Sequence, residues 1–588
     1  MNPHPRPRLI ARLAFVLACG CSTLLADTVT LKDGTTIEGI IVMQTDTKLV
    51  LKQGETTRVI RADDVKSTTK TEHPVPNPGR PRVGVVVRGT TFPPSGSSAS
   101  FDPWKSETDP IANATVKVFT TLSLPDVRKP WARLPPREET GSGFACVGYG
   151  TKYILTSAHL VDYATDIQIR GNNEGDKIPA RIAGIDRSMD LAVLKLDDET
   201  FFRSHPAQKP SIAVLNPGTV VRVFGYSGES TNVTIFNPSV VTVDFAPYDA
   251  KVSGLMVRLN TDLAPGTSGG PVADGLNVVG IACCRKFGGQ TQSYVIPGQE
   301  LVAFLRGVLK ESPYTGKPMV YDQTQRLENP ALREYLGLRS NRHGVVVSLS
   351  ATKDGSSLRD WDVLTEIMGD KIDDQGTVQW DPFDNRRVDF GYSFQRFDAL
   401  DFDHVGATIM RWGAECPLDI PVVRNRQMLI PDLEGAAPSY FVFGPIVFST
   451  VTSQLISFIS STNRLEAFLS LRGSPLITRR TETPSFPGEQ LVFVPAPFFP
   501  HKLARGYGDP TFSVVKAVND IRIRNLKHLV QVLRDSKDEF VTIEFFERNT
   551  EILVFSRAEM IAATDGILSD NDVRSQGSPD TMAIWNAK

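Results

Sequence analysis

The chain has 588 residues, too many for a single hydrophobic core, so roughly three or four domains are expected. Its 64 Lys and Arg against 66 Asp and Glu leave a formal charge of −2, which gives no electrostatic case for nucleic acid or an anionic membrane as the main partner. The apolar fraction of 41% is ordinary for a globular protein, and 45 Gly and 41 Pro with few long helical runs point towards β structure.

Residues 1–26 read as a signal peptide. Arg6, Arg8 and Arg12 precede the apolar run Leu13–Ala18, and apolar or small residues continue to Ala26, where cleavage is expected. The run is too short for a spanning helix. Val16-Leu17-Ala18-Cys19 also has the form of a lipoprotein box, and an Arg-rich segment without acids also suits an organellar transit peptide. Residues 27–66 alternate apolar and polar positions (Val29, Leu31, Ile37, Leu49, Leu51, Val59), with turn signals at Asp33-Gly34 and Gln53-Gly54. They predict a small β-sheet module of four or five strands, an adaptor or a structural cap. Residues 67–111, rich in Pro, Gly, Ser and Thr, predict a linker.

A catalytic domain is expected over residues 112–310. Ile154-Leu155-Thr156-Ser157-Ala158-His159 is a short apolar strand that ends in a histidine. Asp190 immediately precedes a second apolar strand, Leu191–Leu196. Pro265-Gly266-Thr267-Ser268-Gly269-Gly270-Pro271 is a tight turn that offers a hydroxyl beside free backbone N–H groups. A nucleophile needs a base, and the base needs an orienting acid. The order His159, Asp190, Ser268 is the one used by proteases of the chymotrypsin-type double β-barrel. In this reading Ser268 is the nucleophile, His159 the general base and acid, and Asp190 the residue that holds the imidazole tautomer. Gly266, Thr267 and Ser268 form the oxyanion loop, with the Gly266 and Ser268 N–H groups as its donors.

Gly141-Ser142-Gly143-Phe144, LTSAHLV, DLAVLKL and PGTSGGPV together resemble the HtrA/Deg (Do-like) serine proteases, in particular the plant-type branch with a second, divergent PDZ-like domain. Val278–Ala282 and Ser293–Pro297 extend the likeness; the resemblance makes them strands that close the second barrel and flank the specificity pocket, with Tyr294, Val295 and Ile296 as substrate-binding positions. Thr267 stands where digestive-type proteases carry an acid, so activation by a newly cut N-terminus is not expected. Asp262 lies six positions before Ser268, a spacing that in trypsin-like enzymes puts an acid at the base of the pocket; a loop anchor beside a small apolar pocket is the favoured reading. Cys146, Cys283, Cys284 and Cys416 remain after the leader; adjacent Cys283 and Cys284 in one strand face opposite sides and cannot readily pair, so buried free thiols are expected.

Residues 311–424 are expected to form a first PDZ domain. Within it Tyr335-Leu336-Gly337-Leu338 has the look of a carboxylate-binding loop that receives peptide C-termini or internal segments. Residues 425–557 predict a divergent PDZ-like domain, in which Leu526–Leu533 is an amphipathic helix, and residues 558–588 predict a loose polar tail.

The expected fold is therefore mainly β and multidomain: a small β module, a chymotrypsin-like double-barrel protease and two PDZ-like α+β domains. The function the resemblance implies is ATP-independent endoproteolysis of unfolded or misfolded proteins by a homo-oligomer built on trimers, with no nucleic acid as partner. No zinc or Walker pattern is present, so neither a metal nor a cofactor is expected. The competing readings are a PDZ-based chaperone or scaffold with dormant proteolysis, and a processing protease of narrow specificity.

Overall fold

The computed structural model describes residues 27–69 and 109–587, apart from short stretches within them. The expected leader, residues 1–26, and most of the expected linker lie outside the described residues.

Residues 27–69 form one antiparallel sheet of β1 (Asp27–Leu31), β2 (Thr36–Gln44), β3 (Lys48–Gln53), β4 (Thr56–Arg61) and β5 (Val65–Thr69), in the order β4-β3-β2-β1-β5. The alternation that predicts it places Val29, Ile37 and Ile60 on one buried face, with Leu31 and Val65 against them.

The second unit opens at Asp109, whose carboxylate accepts the N–H groups of Ile111 and Ala112 and so caps the helix Pro110–Ala114. A closed barrel follows, made of β6 (Thr115–Leu122), β7 (Arg137–Gly148), β8 (Thr151–Thr156), β9 (Ala164–Gly171), β10 (Ile178–Asp186) and β11 (Leu191–Leu196), in the order β10-β11-β8-β7-β6-β9. The next sheet runs β13-β12-β16-β17-β18-β15-β14, from β12 (Arg222–Gly225), β13 (Thr234–Phe236), β14 (Val240–Pro247), β15 (Ser253–Leu259), β16 (Pro271–Asp274), β17 (Asn277–Phe287) and β18 (Gln290–Pro297). Hydrogen bonds from Val221 N–H to Pro238 O and from Val240 N–H to Thr219 O bring the β12 side back against the start of β14, so this sheet also curls on itself. Both barrels share one apolar seam. Phe144, Cys146 and Leu155 of the first meet Ile281, Cys283 and Ile296 of the second, and Leu301, Phe304 and Leu305 of the helix Gly298–Lys310 complete the cluster. The seam fixes the two barrels against each other, and the candidate site straddles it.

The region after the protease sheets is built on strands Gln323–Arg326, Val345–Leu349, Val363–Ile367, His404–Arg411 and Ala414–Pro421. Leu255 and Phe245 of the protease sheet join its core of Val345, Leu364 and Phe390, and a buried Lys317–Glu300 ion pair ties its entry to the helix Gly298–Lys310. The C-terminal region carries a three-stranded sheet (Tyr440–Phe443, Ile446–Thr450, Val492–Phe493), a helical insertion from Ser453 to Thr478, and a four-stranded sheet covered by the helix Leu526–Asp535.

Residues 558–587 are not a loose tail. They extend the helix Arg557–Asp570 and add the helix Pro579–Trp585. Trp585 lies against Phe441 and Phe443, with ring centroids 5.1 and 5.9 Å apart. Val442 N–H donates to Gln576 O at 2.7 Å, and Thr581 Oγ1 to Tyr440 O at 2.7 Å. Met560, Ile567 and Leu568 supply the burial that holds this segment down.

The C-terminal region also reaches the first barrel. Trp131, in the connection from β6 to β7, packs on Tyr440 and Phe499 at centroid distances of 6.1 and 5.5 Å. Gly435 lies against the guanidinium of Arg187, which itself pairs with Asp162 at 2.9 Å.

Candidate active site

The candidate acid–base residues come from the first barrel. β8 ends at Thr156, and Ala158–Leu160 form a single 3₁₀ turn that brings His159 out at the strand end. At the entry to β11, the strand that pairs with β8, Asp186 builds a tight side-chain turn by accepting Ser188 N–H and Met189 N–H, both at 2.9 Å. That turn delivers Asp190 in a left-handed conformation (φ 58°), which aspartate tolerates better than most residues. Asp190 is buried, and its Oδ1 accepts the His159 backbone N–H at 2.9 Å. His159 Nδ1 lies 2.8 Å from Oδ2 and 3.0 Å from Oδ1. A carboxylate on Nδ1 places the neutral ring's proton there and leaves Nε2 as the basic nitrogen. The histidine side chain is 37% exposed and its partner 1%, so the carboxylate is dry while the imidazole reaches solvent.

The candidate nucleophile comes from the turn between β15 and β16. Thr267 N–H and Oγ1 both donate to Ala264 O, at 3.1 and 2.7 Å, and Gly270 N–H donates to Thr267 O at 2.9 Å. Gly266 has φ 92°, and a Cβ there would meet Tyr226 O at 2.3 Å; Gly269 has φ 86°, and a Cβ would meet Ser142 O at 2.0 Å. Only glycine fits either position. Of the three residues expected in the oxyanion loop, Thr267 spends its N–H inside the turn. Among the described residues, no protein group accepts the N–H of Gly266 or of Ser268.

Ser268 Oγ accepts Cys284 N–H at 3.1 Å and lies 3.4 Å from Cys284 O. The hydroxyl is thus turned to the backbone of β17, and among the described residues its hydrogen bonds do not include His159. The three expected residues are gathered at the seam, with His159 and Asp190 joined and Ser268 facing the adjoining strand.

The strand β17 carries two residues whose part at the site was not legible in the sequence. Cys283, fully buried, donates its thiol to Asp190 Oδ2 at 3.3 Å. Cys284, on the opposite face as expected, is half-buried; burial pushes its thiol pKa up, hydrogen bonds with Ser293 and Ser268 oppose this, and the charge of Asp262 adds to the rise. All four described cysteines are free. Asp262 itself is exposed, near enough to act on Cys284, while its neighbour Leu263 is buried and donates N–H to Ser293 Oγ at 2.8 Å. Tyr294, Val295 and Ile296 are buried in β18, which pairs with β15 on one side and β17 on the other. Tyr294 stacks on Tyr248, so these side chains back the site from the core.

The expected carboxylate loop is corrected by its hydrogen bonds. Pro330–Tyr335 is a helix capped by Asn329. It ends with Gly337 at φ 65°, Gly337 N–H on Glu334 O at 2.9 Å and Leu338 N–H on Arg333 O at 3.0 Å, while Leu336 N–H reaches Leu332 O. This is a Schellman closure, and it uses the N–H groups that a peptide carboxylate would need. Leu336 and Leu338 pack on Leu327, Val346 and Val363, while Tyr335 stands exposed, edge-on to Trp361.

Comparison with known proteins bears on both ends of the chain. Residues 141–281 match the family described as Trypsin-like peptidase domain, and residues 431–580 match the PDZ domain. The chain is 29% identical over 490 residues to "Protease Do-like 2, chloroplastic" of Arabidopsis thaliana, covering 82% of this chain and 77% of that one. It is 28% identical over 482 residues to "Protease Do-like 4, mitochondrial" of the same plant, covering 81% and 86%. A solved structure titled "HtrA-type protease AlgW with tripeptide" overlaps 54% of this chain and 96% of its own at 20% identity and a TM-score of 0.40.

Proposed function

We propose that this chain, which belongs to the Do-like (HtrA/Deg) serine proteases, is an ATP-independent endopeptidase for unfolded or misfolded polypeptides, working through Ser268, His159 and Asp190. The observation that carries the proposal is the two-oxygen grip of Asp190 on His159 Nδ1, beside a glycine turn that offers a serine and two uncommitted N–H groups.

The chemistry follows from those positions. Rotation about the Ser268 Cα–Cβ bond exchanges two weak contacts with Cys284 for one with His159 Nε2, a change of about 1 kcal/mol per hydrogen bond. Nε2 takes the hydroxyl proton as Oγ attacks the scissile carbonyl, and the buried carboxylate stabilises the imidazolium. The negative oxygen that forms faces the Gly266 and Ser268 N–H groups. His159 then returns the proton to the leaving amine, and water repeats the sequence on the acyl-enzyme. Unfolded chains suit such a site because they offer extended segments that a strand edge can hold.

The turned hydroxyl supports a resting form, which is the nearest this chain comes to the dormant-scaffold reading. The packing of Trp131 and Arg187 against the C-terminal region gives a route by which that region would act on the His159 side. Assembly into trimers and a cleaved leader belong to the same proposal. The relatives' names place them in chloroplast and mitochondrion, which supports an organellar destination over export; the N-terminus and mass of the mature protein test both points. Casein digestion by the full chain that disappears in Ser268→Ala supports the proposal; digestion that persists in that variant overturns it.

A further inference from the structure

The geometry points to Ser142 as the positioning residue that keeps the oxyanion loop in its competent form. This rests on the catalytic reading of Ser268 and adds to it the residue, from the other barrel, that aims the loop's donors. Ser142 lies on β7 and is fully buried. Its Oγ donates to Gly266 O at 2.7 Å and accepts Tyr226 N–H at 2.8 Å. Its N–H donates to Ser268 O at 2.9 Å, and its carbonyl accepts Thr156 Oγ1 at 2.7 Å. One side chain and its own peptide groups thus hold the loop on both sides of Thr267, and reach the strand that leads to His159.

The consequence can be read peptide by peptide. A trans peptide is planar, with C=O and N–H pointing in opposite directions, so fixing one fixes the other. In the Pro265–Gly266 peptide the carbonyl accepts Gly228 N–H at 3.2 Å, which turns Gly266 N–H the other way. In the Thr267–Ser268 peptide the carbonyl accepts Gly270 N–H at 2.9 Å, which does the same for Ser268 N–H. The Gly266–Thr267 peptide lies between them and sets the angle between the two donors. It is held by Ala264 O on its N–H and by Ser142 Oγ on its carbonyl. Because residue 266 is glycine, rotation of that peptide meets little steric resistance once the hydroxyl is gone. A second support acts one step away. Lys117, buried on β6, donates from Nζ to Gly228 O and Ser230 O, both at 3.0 Å, and so holds the loop whose Gly228 N–H fixes Pro265 O.

The donors matter most when charge develops on the attacked oxygen, so the defect should appear in kcat and in transition-state binding more than in KM. The test compares the full-length wild type with Ser142→Ala, Ser142→Cys and Lys117→Met on a fluorogenic peptide, together with the affinity of a peptide boronate that forms a tetrahedral adduct. Loss of a single oxyanion donor lowers kcat by roughly 10²–10³-fold in a serine protease, and a donor misaimed by Ser142→Ala should lower kcat and boronate affinity by roughly 10–100-fold, with KM within about threefold. Ser142→Cys, which keeps a weak donor, should recover part of the loss, and Lys117→Met should give the same signature at smaller size. Wild-type hydrolysis that is abolished by Ser268→Ala but unchanged in Ser142→Ala overturns the clamp alone. So does a Ser142→Ala defect that falls on KM or thermal stability while boronate affinity holds. Hydrolysis that survives Ser268→Ala overturns the catalytic reading and the clamp with it.

Discussion

The two sides of the seam are prepared to different degrees. On the first-barrel side, Asp190 is buried, grips His159 through both carboxylate oxygens and takes a further bond from the His159 backbone. On the second-barrel side, Ser268 rests on the Cys284 backbone at 3.1 and 3.4 Å. The His159–Asp190 pair is therefore held together in the resting structure, while the Ser268 hydroxyl is committed to the neighbouring strand. In the proposed mechanism the order is concentrated where a wrong tautomer would be most damaging, and the Ser268 hydroxyl is left on two weak contacts with Cys284.

The largest break in that comparison is Asp190→Asn. It keeps the shape but reverses the hydrogen-bond sense towards Nδ1, so kcat should fall by roughly 10⁴-fold, measured on a peptide substrate, with the fold intact by circular dichroism. A fall of less than tenfold would mean that the imidazole does not depend on this carboxylate. Next comes Cys283→Ala, which removes the thiol donor from Asp190 Oδ2. Thiols donate weakly, so a loss of roughly three- to tenfold in kcat/KM is expected, and Cys283→Ser should restore it. The smallest effect should come from Asp262→Asn. The carboxylate is exposed, so the cleavage profile on a mixed unfolded proteome should stay centred on small apolar residues, with rates within about twofold. Cleavage after Lys or Arg that vanishes in this variant would make Asp262 a specificity determinant instead.

The legible and illegible parts of the molecule divide along a physical line. His159, Asp190 and the Gly266–Ser268 turn could be found because each needs a local backbone device: a strand end, a left-handed residue before a strand, a glycine that admits a carbonyl at van der Waals range. Residues whose importance arises only across the seam could not. Ser142 and Cys283 look like an ordinary serine and an ordinary buried thiol until the second barrel is placed against them. Tyr335–Leu338 misled for the opposite reason, since the motif is local but the question of which N–H groups remain free is settled by the preceding helix turn. The C-terminal segment misled because its polar composition hides a few apolar anchors. Met560, Ile567 and Trp585 suffice to bury it once Phe441 and Phe443 are in place.

The central claim is that Ser268 is a nucleophile activated by His159. Reaction of the full chain with a fluorophosphonate probe, read by peptide mass spectrometry, addresses it directly. The account predicts one phosphonylated residue, Ser268, and labelling slowed by at least about a thousandfold in His159→Ala. Equal labelling in both proteins, or casein digestion by a wild type in which Ser268 stays unlabelled, would contradict it.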